Sequence, residues 1–546
     1  MPTLEWIGKN KVVNHHLDVP FRVLERQYSF DVNGTHAEDN ESENMIIHGD
    51  NLSALKSLLP QYEGKIKCIY IDPPYNTGNE GWVYNDNVND PHILKWLGEV
   101  VGKEGEDLSR HDKWLCMMYP RLKLLQRLLA DDGVIFISID SNEKFNLKLI
   151  CDEIFGANKF IADIAVVNNL KGRSDDKYIA TAHEGLLIYH NGNFITRGVA
   201  VPEEYQTEYK LKDEFGKYRL QGLRKRGAGA KREDRPNMWY PFYYNEHTNV
   251  LSLENLEGSI EIFPHLSDGS DGRWRWSKNT AIQRISELVA IKVKGRNEWD
   301  VFQKDYLPDD GSKRIKPKSV WIGSEFSAES GTLETKSILG KGIFETPKPT
   351  GIVEYCIEQA MGSDGIVLDS FAGSATTAHA VLKMNKVDGG SRKFILIEMM
   401  DYAESITAER VKKVIDGYGS GKQAVEGTGG SFNYYELGDT LMENGNLNEN
   451  ISIDKIREYV YFTETKARSI PISEVEPYLI GVHYDSAYYF YYDREKITTL
   501  NREFLHTIKT KAESYVIYAD LCTLSNTELE KFHITFKKIP RDISKL

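Results

Sequence analysis

Five short apolar runs constrain this chain more than any other feature: IKCIYID (66–72), GVIFISID (133–140), EGLLIYH (184–190), GIVLDSF (365–371) and KFILIEM (393–399). Each is rich in β-branched or aromatic residues and stops at small, polar or acidic ones. Runs apolar on both faces predict strands covered from both sides, as in a parallel sheet. Between them lie helix-like segments such as KWLCMMYPRLKLLQRLLADDG (113–133), with apolar residues every third or fourth position before a terminal glycine. Strand and helix alternate, which predicts an α/β fold. From 191 to 340 the alternation gives way to polar, Gly- and Trp-containing sequence with weak periodicity, then resumes until about 425. The middle therefore predicts an insert. After GTGGS (427–431) an aromatic-rich tail containing DSAYYFYYDREK (485–496) predicts a separate small α+β module.

At 546 residues the chain exceeds one hydrophobic core, so several domains are expected. No apolar run approaches the roughly 18 residues that span a bilayer. The N-terminus carries charges and histidines where a secretory signal has its apolar core, so a cytoplasmic protein is expected. Five scattered cysteines (Cys68, Cys116, Cys151, Cys356, Cys522), never spaced CxxC, read as core thiols rather than a disulfide framework or zinc site, and no metal is expected. A net charge of −13 counts against nucleic acid only if it is spread evenly, because binding follows local charge.

Two stretches carry chemistry. In CIYIDPPYNTGNE (68–80), Asp72 ends a predicted strand, where open parallel sheets place their ligands. Pro73 and Pro74 stiffen the turn and lack N–H groups, so carbonyls there can face a ligand. A carboxylate, a carbonyl and the Tyr75 ring suit a planar heterocycle bearing an amino group, and adenine fits. The bland alternative is a Pro-Pro turn with Asp72 as a helix cap. In LDSFAGSATTAHAV (368–381) a strand enters a small-residue loop and then a helix beginning near Thr376 or Thr377. Gly373 permits close backbone approach, and the helix N-terminus offers N–H groups and positive potential to a carboxylate such as that of an amino-acid moiety. Glu398, ending the next strand, stands where nucleotide folds accept ribose hydroxyls. Such loops also occur in α/β proteins generally.

DPPYNTGNE followed, after a long insert, by FAGSATTAHAV resembles the β class of amino-methylating DNA methyltransferases, whose catalytic motif precedes the cofactor motif. More narrowly, the chain resembles modification (Mod) subunits of type III restriction-modification systems. The likeness runs from LEWIGKN (4–10) and HGDNLSALKSL (48–58) through FETPKP (344–349) to LIEMMDYAESITAERV (396–411), and fades beyond about 440. It implies a Rossmann-like S-adenosylmethionine-dependent methyltransferase fold in circularly permuted motif order. A target-recognition domain would be inserted in it, with a small α+β module at the C-terminus. The implied segments are 1–45 at the N-terminus, 46–190 the catalytic half, 191–340 target recognition, 341–425 the cofactor half and 430–546 an oligomerisation or partner module. The implied catalytic residues are Asp72, Pro73, Pro74 and Tyr75. Asp72 and the Pro73 carbonyl would accept the two N–H bonds of the target amine and Tyr75 would stack on a flipped adenine. Those implied for S-adenosylmethionine are Asp50, Lys348, Asp369, Phe371, Ala372, Gly373, Ser374, Thr376 and Glu398. Asp50 would lie near the adenine and Lys348 near the methionine carboxylate. The family's loop usually reads FxGxG, and Ala375 stands here in place of the last glycine.

The insert holds a basic patch, KYRLQGLRKRGAGAKREDR (217–235), in which Arg224, Lys225, Arg226, Lys231, Arg232 and Arg235 are the expected DNA contacts. A solvated charged loop is the plain alternative. Trp274 and Trp276 of RWRWS read as core anchors. His183, His190 and His379 read as structural. The expected partners are double-stranded DNA, a second copy of the chain and a restriction subunit with helicase and nuclease activities. N4-cytosine methylation, an RNA or protein-amide substrate, and a DNA-binding module with a degenerate cofactor site stay open, the last because of Ala375.

Overall fold

The computed structural model describes residues 3–77, 91–101, 109–172, 177–293, 298–309, 311–443, 445–467 and 469–541. Gly78, Asn79 and Glu80, which close the DPPYNTGNE motif, lie outside the described residues. The chain divides into two compact units, one of residues 1–197 and 317–546 and one of 198–316.

The larger unit is organised by an eleven-stranded sheet. Its strands are β1 (Arg22–Asp31), β2 (Gly34–His36), β3 (Met45–His48), β4 (Ile66–Ile71), β5 (Leu129–Ile139), β6 (Phe160–Val167), β7 (His183–His190), β8 (Val320–Trp321), β9 (Ile366–Asp369), β10 (Lys393–Glu398) and β11 (Ser431–Thr440). In space they run β8-β6-β7-β5-β4-β9-β10-β3-β11-β1-β2. The stretch β5-β4-β9-β10-β3-β11 is parallel throughout. The two halves of the chain therefore interleave: β9 and β10, from beyond the insert, slot between β4 and β3. Alternate residues serve opposite faces, and both faces are covered. Ile69, Ile71, Ile395 and Ile397 join one buried cluster with Leu55, Trp114 and Leu122. Cys68, Tyr70, Phe394 and Leu396 join the other with Val353, Cys356 and Val381.

Three expectations are corrected. EGLLIYH is not parallel: β7 pairs antiparallel with both β5 and β6. A strand buried on both faces reads the same in either direction, and only the connection without a crossover helix distinguishes them. The helix drawn over 113–133 spans Arg110–Leu128, and LADDG already belongs to β5. Its register slips between Ile66/Leu129 and Cys68/Val134, so the polar Asp131 and Asp132 fall in an irregularity of the strand rather than a helix end. The outer segments are not independent either. β1 and β2 from the N-terminal segment and β11 from the expected tail complete the large sheet.

A four-stranded sheet follows in the same unit, Leu479–His483, Ser486–Phe490, Ser514–Ala519 and Ile534–Lys538 in spatial order, with short helices. It matches the α+β module expected of the tail. The smaller unit pairs Leu211–Asp213, Gly216–Gly222, Glu298–Leu307 and Leu288–Val293 antiparallel, beside a three-stranded sheet around Phe242–Asn245. Its core gathers Leu223, Phe242, Trp274 and Val301, with Trp276 packed against them, so both tryptophans are anchors. Residues 191–197 and 317–340, assigned to the insert from sequence, lie in the larger unit.

Candidate active site

The register of the parallel strands sets Asp72, Asp369 and Glu398 along one edge. Leu368 pairs with Ile69 of β4, Asp369 with Leu396 of β10, and Glu398 with His48 of β3. All are carboxyl ends, where helices beyond the sheet leave room for a ligand. A narrow cleft opens there, lined by Tyr70, Asp72, Phe344, Thr346, Pro347, Lys348, Asp369, Phe371, Ala372, Gly373, Ser374 and Thr376. Residues nearly 300 positions apart in sequence thus share one cavity.

The DPPY loop is held from several sides. Trp114, on the Arg110–Leu128 helix, donates its indole N–H to the Pro74 carbonyl at 2.6 Å. Among the described residues no donor reaches the Pro73 carbonyl. Asn76 is buried with φ of 59°, a left-handed conformation that Asn tolerates better than most residues. Its side-chain amide donates to Glu143 and to the Arg110 carbonyl. Glu143 is itself fully buried and bonded to His111 and Asn146.

Tyr75 donates its hydroxyl to Glu184 at 3.1 Å and accepts from Lys348 at 2.6 Å. Lys348 Nζ lies 2.8 Å from both Glu184 oxygens, 3.5 Å from Asp72 Oδ1 and 4.8 Å from the centre of the Tyr75 ring. Burial alone would depress the Lys348 ammonium, but the Asp72 and Glu184 carboxylates outweigh it and hold its pKa above the ordinary value. Burial, reinforced by those carboxylates, drives the Tyr75 phenol far up. Lys348 thus reaches the catalytic motif as well as the cofactor loop: its own carbonyl accepts from Thr376 Oγ1 at 3.1 Å.

The FAGSA loop is built on backbone and buried charge. Asp369 accepts from the Phe371 N–H at 3.0 Å and from Thr377 Oγ1 at 2.6 Å. Glu398 accepts from the N–H groups of Gly373 at 2.8 Å and Met400 at 3.0 Å. Burial is the main force on both acids and pushes each up to about 7, against the hydrogen bonds that favour the charged form. Arg410, fully buried, donates to the Ser374 carbonyl and hydroxyl and to Thr376, and pairs with Glu334 at 3.0 Å. Gly373 has φ of 51° and Ala375 φ of 63°. The strain at Ala375 explains the usual glycine there, since a left-handed L-residue costs about 1–2 kcal/mol. The methyl belongs to the buried apolar cluster and does not line the cleft, so it does not narrow the ligand's space.

The cleft gathers Asp72, Lys348, Asp369, Phe371, Ala372, Gly373, Ser374 and Thr376 from the sequence-derived set. Glu398 stands behind the loop and holds it. Asp50 does not line the cleft: it caps the Asn51–Tyr62 helix through Ser53 N–H and pairs with Arg121 at 3.2 Å, on the loop after β3. Glu184, Glu143, Trp114 and Arg410 were missed. The one available signal was a charge inside an apolar run, Glu184 in HEGLLIYH.

In the smaller unit the basic residues divide into two groups. Arg232 pairs with Asp271 at 2.9 Å and stacks 3.8 Å from the Trp239 ring centre, and Arg224 donates to the His265 carbonyl. Both serve the fold. Arg226, Lys231 and Arg235 are exposed and Lys225 half-buried, and none of the four makes a side-chain ion pair with the described residues.

Residues 66–409 match the model of a family described as DNA methylase. The chain is 38% identical over 361 residues to the type II methyltransferase M.KpnI of Klebsiella pneumoniae, covering 66% of this chain and 81% of that one. It is 35% identical over 415 residues to the type III restriction-modification enzyme EcoPI Mod subunit of Escherichia phage P1, covering 72% of this chain and 63% of that subunit's length. Among solved structures, the M1.HpyAVI–SAM complex aligns at TM-score 0.30 and 14% identity over 67% of this chain and 98% of that one. With the family match spanning both motifs and the cleft they line, the chain belongs to the N6/N4 DNA methylase family.

Proposed function

We propose that this chain is a site-specific DNA adenine-N6 methyltransferase using S-adenosylmethionine, and the modification and specificity subunit of a type III restriction-modification system. The observation that carries the reading is the single cleft shared by Asp72 and the Asp369-to-Thr376 loop. An acceptor for an amine and a cradle for a charged amino acid lie within one cavity. The residues fit the cofactor: a left-handed Gly373 brings backbone close, Ser374 supplies a hydroxyl, and Lys348 supplies a cation. When bound, S-adenosylmethionine supplies an electrophilic methyl group on a sulfonium.

The chain's own residues do the rest. An adenine in duplex DNA is shielded by stacking and must be flipped out, at a cost of a few kcal/mol. Tyr75, fixed at its hydroxyl, offers a face for the flipped ring. Asp72 and the Pro73 carbonyl accept the two N–H bonds of the exocyclic amine and turn its lone pair away from the ring. Positioning and preorganised hydrogen bonding carry the rate. The cations Lys225, Arg226, Lys231 and Arg235 would follow the phosphate backbone. Residues 198–316 would recognise the target sequence, and the tail module would join two copies or bind a restriction subunit with helicase and nuclease activities. A cytoplasmic location accords with a DNA substrate.

Single-molecule sequencing of genomic DNA from cells expressing the parent or Asp72→Ala tests the proposal. N6-methyladenine at one short motif, present with the parent only, is the expected result. N4-methylcytosine would reassign the base, and unmodified DNA from both strains would refute the reading.

A further inference from the structure

Glu184 lies outside the DPPY and FAGSA motifs, yet it is 7% exposed and shares Lys348 with Asp72. β7 carries it to Tyr75 and Lys348 from the antiparallel side of the sheet, and it is the one acid in HEGLLIYH. A carboxylate so buried is costly unless paired, and here the pairing is specific. Both oxygens engage Lys348 at 2.8 Å and one accepts from the Tyr75 hydroxyl. Lys348 has two buried carboxylates within reach and lies closer to Glu184 than to Asp72, which is 3.5 Å away.

We propose that Glu184 is a positioning residue for methyl transfer, which draws the Lys348 ammonium closer to itself than to Asp72 and clamps the Tyr75 ring through its hydroxyl. The inference rests on the methyltransferase reading. An ammonium seated fully on Asp72 would occupy the lone pairs that must accept the amine N–H bonds. Glu184 competes for that ammonium, so Asp72 keeps only the longer 3.5 Å contact while the cation remains beside the cofactor loop. The second effect is geometric: a ring tethered at its far end by two groups from other elements presents one face in one orientation, so less ordering remains when the base arrives.

The two effects separate by variant. Glu184→Gln keeps an acceptor for the Tyr75 hydroxyl but removes the charge that restrains Lys348. Its kcat is expected to fall on the order of a hundredfold, with KM for cofactor and for duplex within about threefold of the parent. Fluorescence of 2-aminopurine at the target position, which reports flipping, should match the parent. Glu184→Ala removes both effects and should lose the flipping signal as well. Glu184→Asp keeps the charge and should recover at least about tenfold in kcat over Glu184→Gln. It carries the test if circular dichroism finds Glu184→Gln unfolded, since an Asp variant that folds yet is as slow as Asp72→Ala overturns the proposal. So does a folded Glu184→Gln with kcat within about threefold of the parent, or one whose loss lies entirely in KM. The parent is assayed first on duplexes carrying the mapped motif: a parent that transfers no methyl sinks the enzymatic reading itself, whereas an active parent with an equally active Gln variant sinks only the role of Glu184.

Discussion

Asp369→Asn isolates the electrostatics of the cofactor loop. Asp369 is buried, and desolvation pushes its carboxyl up to about 7 from an ordinary 3.8. The folded state therefore binds a proton that the unfolded chain has already released between those two values. Stability must fall as pH rises through that window, by about 1.4 kcal/mol per pH unit, reaching on the order of 4 kcal/mol above pH 7. At pH 5 less than half of that penalty has developed. Asparagine is the appropriate perturbation because both contacts survive: its carbonyl accepts from Phe371 N–H, and its amide can donate to the Thr377 hydroxyl, which turns to accept. Glu398, also near 7 and raised in part by Asp369, shares the sign, so the uncharged neighbour adds to the gain. Urea titrations of the cofactor-free protein at pH 5 and pH 8, followed by tryptophan fluorescence, should find the variant gaining on the parent by roughly 2–3 kcal/mol between the two. An advantage that is the same at both pH values would refute a protonated Asp369.

Asp72→Ala should abolish methyl transfer while duplex binding stays within about threefold of the parent, checked by filter binding beside the methylation assay. Charge reversal at Lys225, Arg226 and Arg235 should lower the salt slope of DNA binding by roughly 2–3, whereas Arg232→Glu should lower thermal stability through its lost Asp271 and Trp239 contacts. An unchanged slope in the triple variant would return the loop to a solvated surface. Ala375→Gly sets relief of about 1–2 kcal/mol of left-handed strain against roughly 0.8 kcal/mol of lost burial and about 0.4–1 kcal/mol of added unfolded-state freedom. Stability should thus move by less than about 1 kcal/mol, with calorimetric cofactor affinity unaltered; a tenfold tighter Kd would mean that the methyl crowds the ligand after all.

The parts of this site legible in sequence are those governed by local rules. Asp72, Asp369 and Glu398 each end a run apolar enough to be a strand, and in a parallel sheet strand ends converge on one edge. Three independent local readings therefore predicted one place. β1 and β11 escaped because they lie outside the parallel centre: RVLERQYSFD and SFNYYELGDT mix polar with apolar residues, as strands at and near a half-solvated flank do. The limits of the insert shifted for a related reason, since Val320–Trp321 reads as loop until its pairing with β6 is known.

What periodicity could not reveal is the buried charge, and that charge explains why the site has the shape it has. Glu184, Glu143, Arg121 and Arg410 are each nearly or fully buried, where a burial pattern predicts apolar side chains. Each is tolerated only because a partner distant in sequence meets it: Lys348 is 164 positions from Glu184, Asn76 67 from Glu143, Asp50 71 from Arg121, and Glu334 76 from Arg410. An unpaired charge at any of these positions would cost several kcal/mol, so the pairs fix how these segments meet, and Glu184 with Lys348 ties the two halves of the catalytic sheet together. All four pairs also stand at the loops that follow β3, β4 and β9, or against them. The same interactions that make the interleaved fold specific thus hold the DPPY turn and the FAGSA loop rigid, which is what a reaction driven by positioning requires.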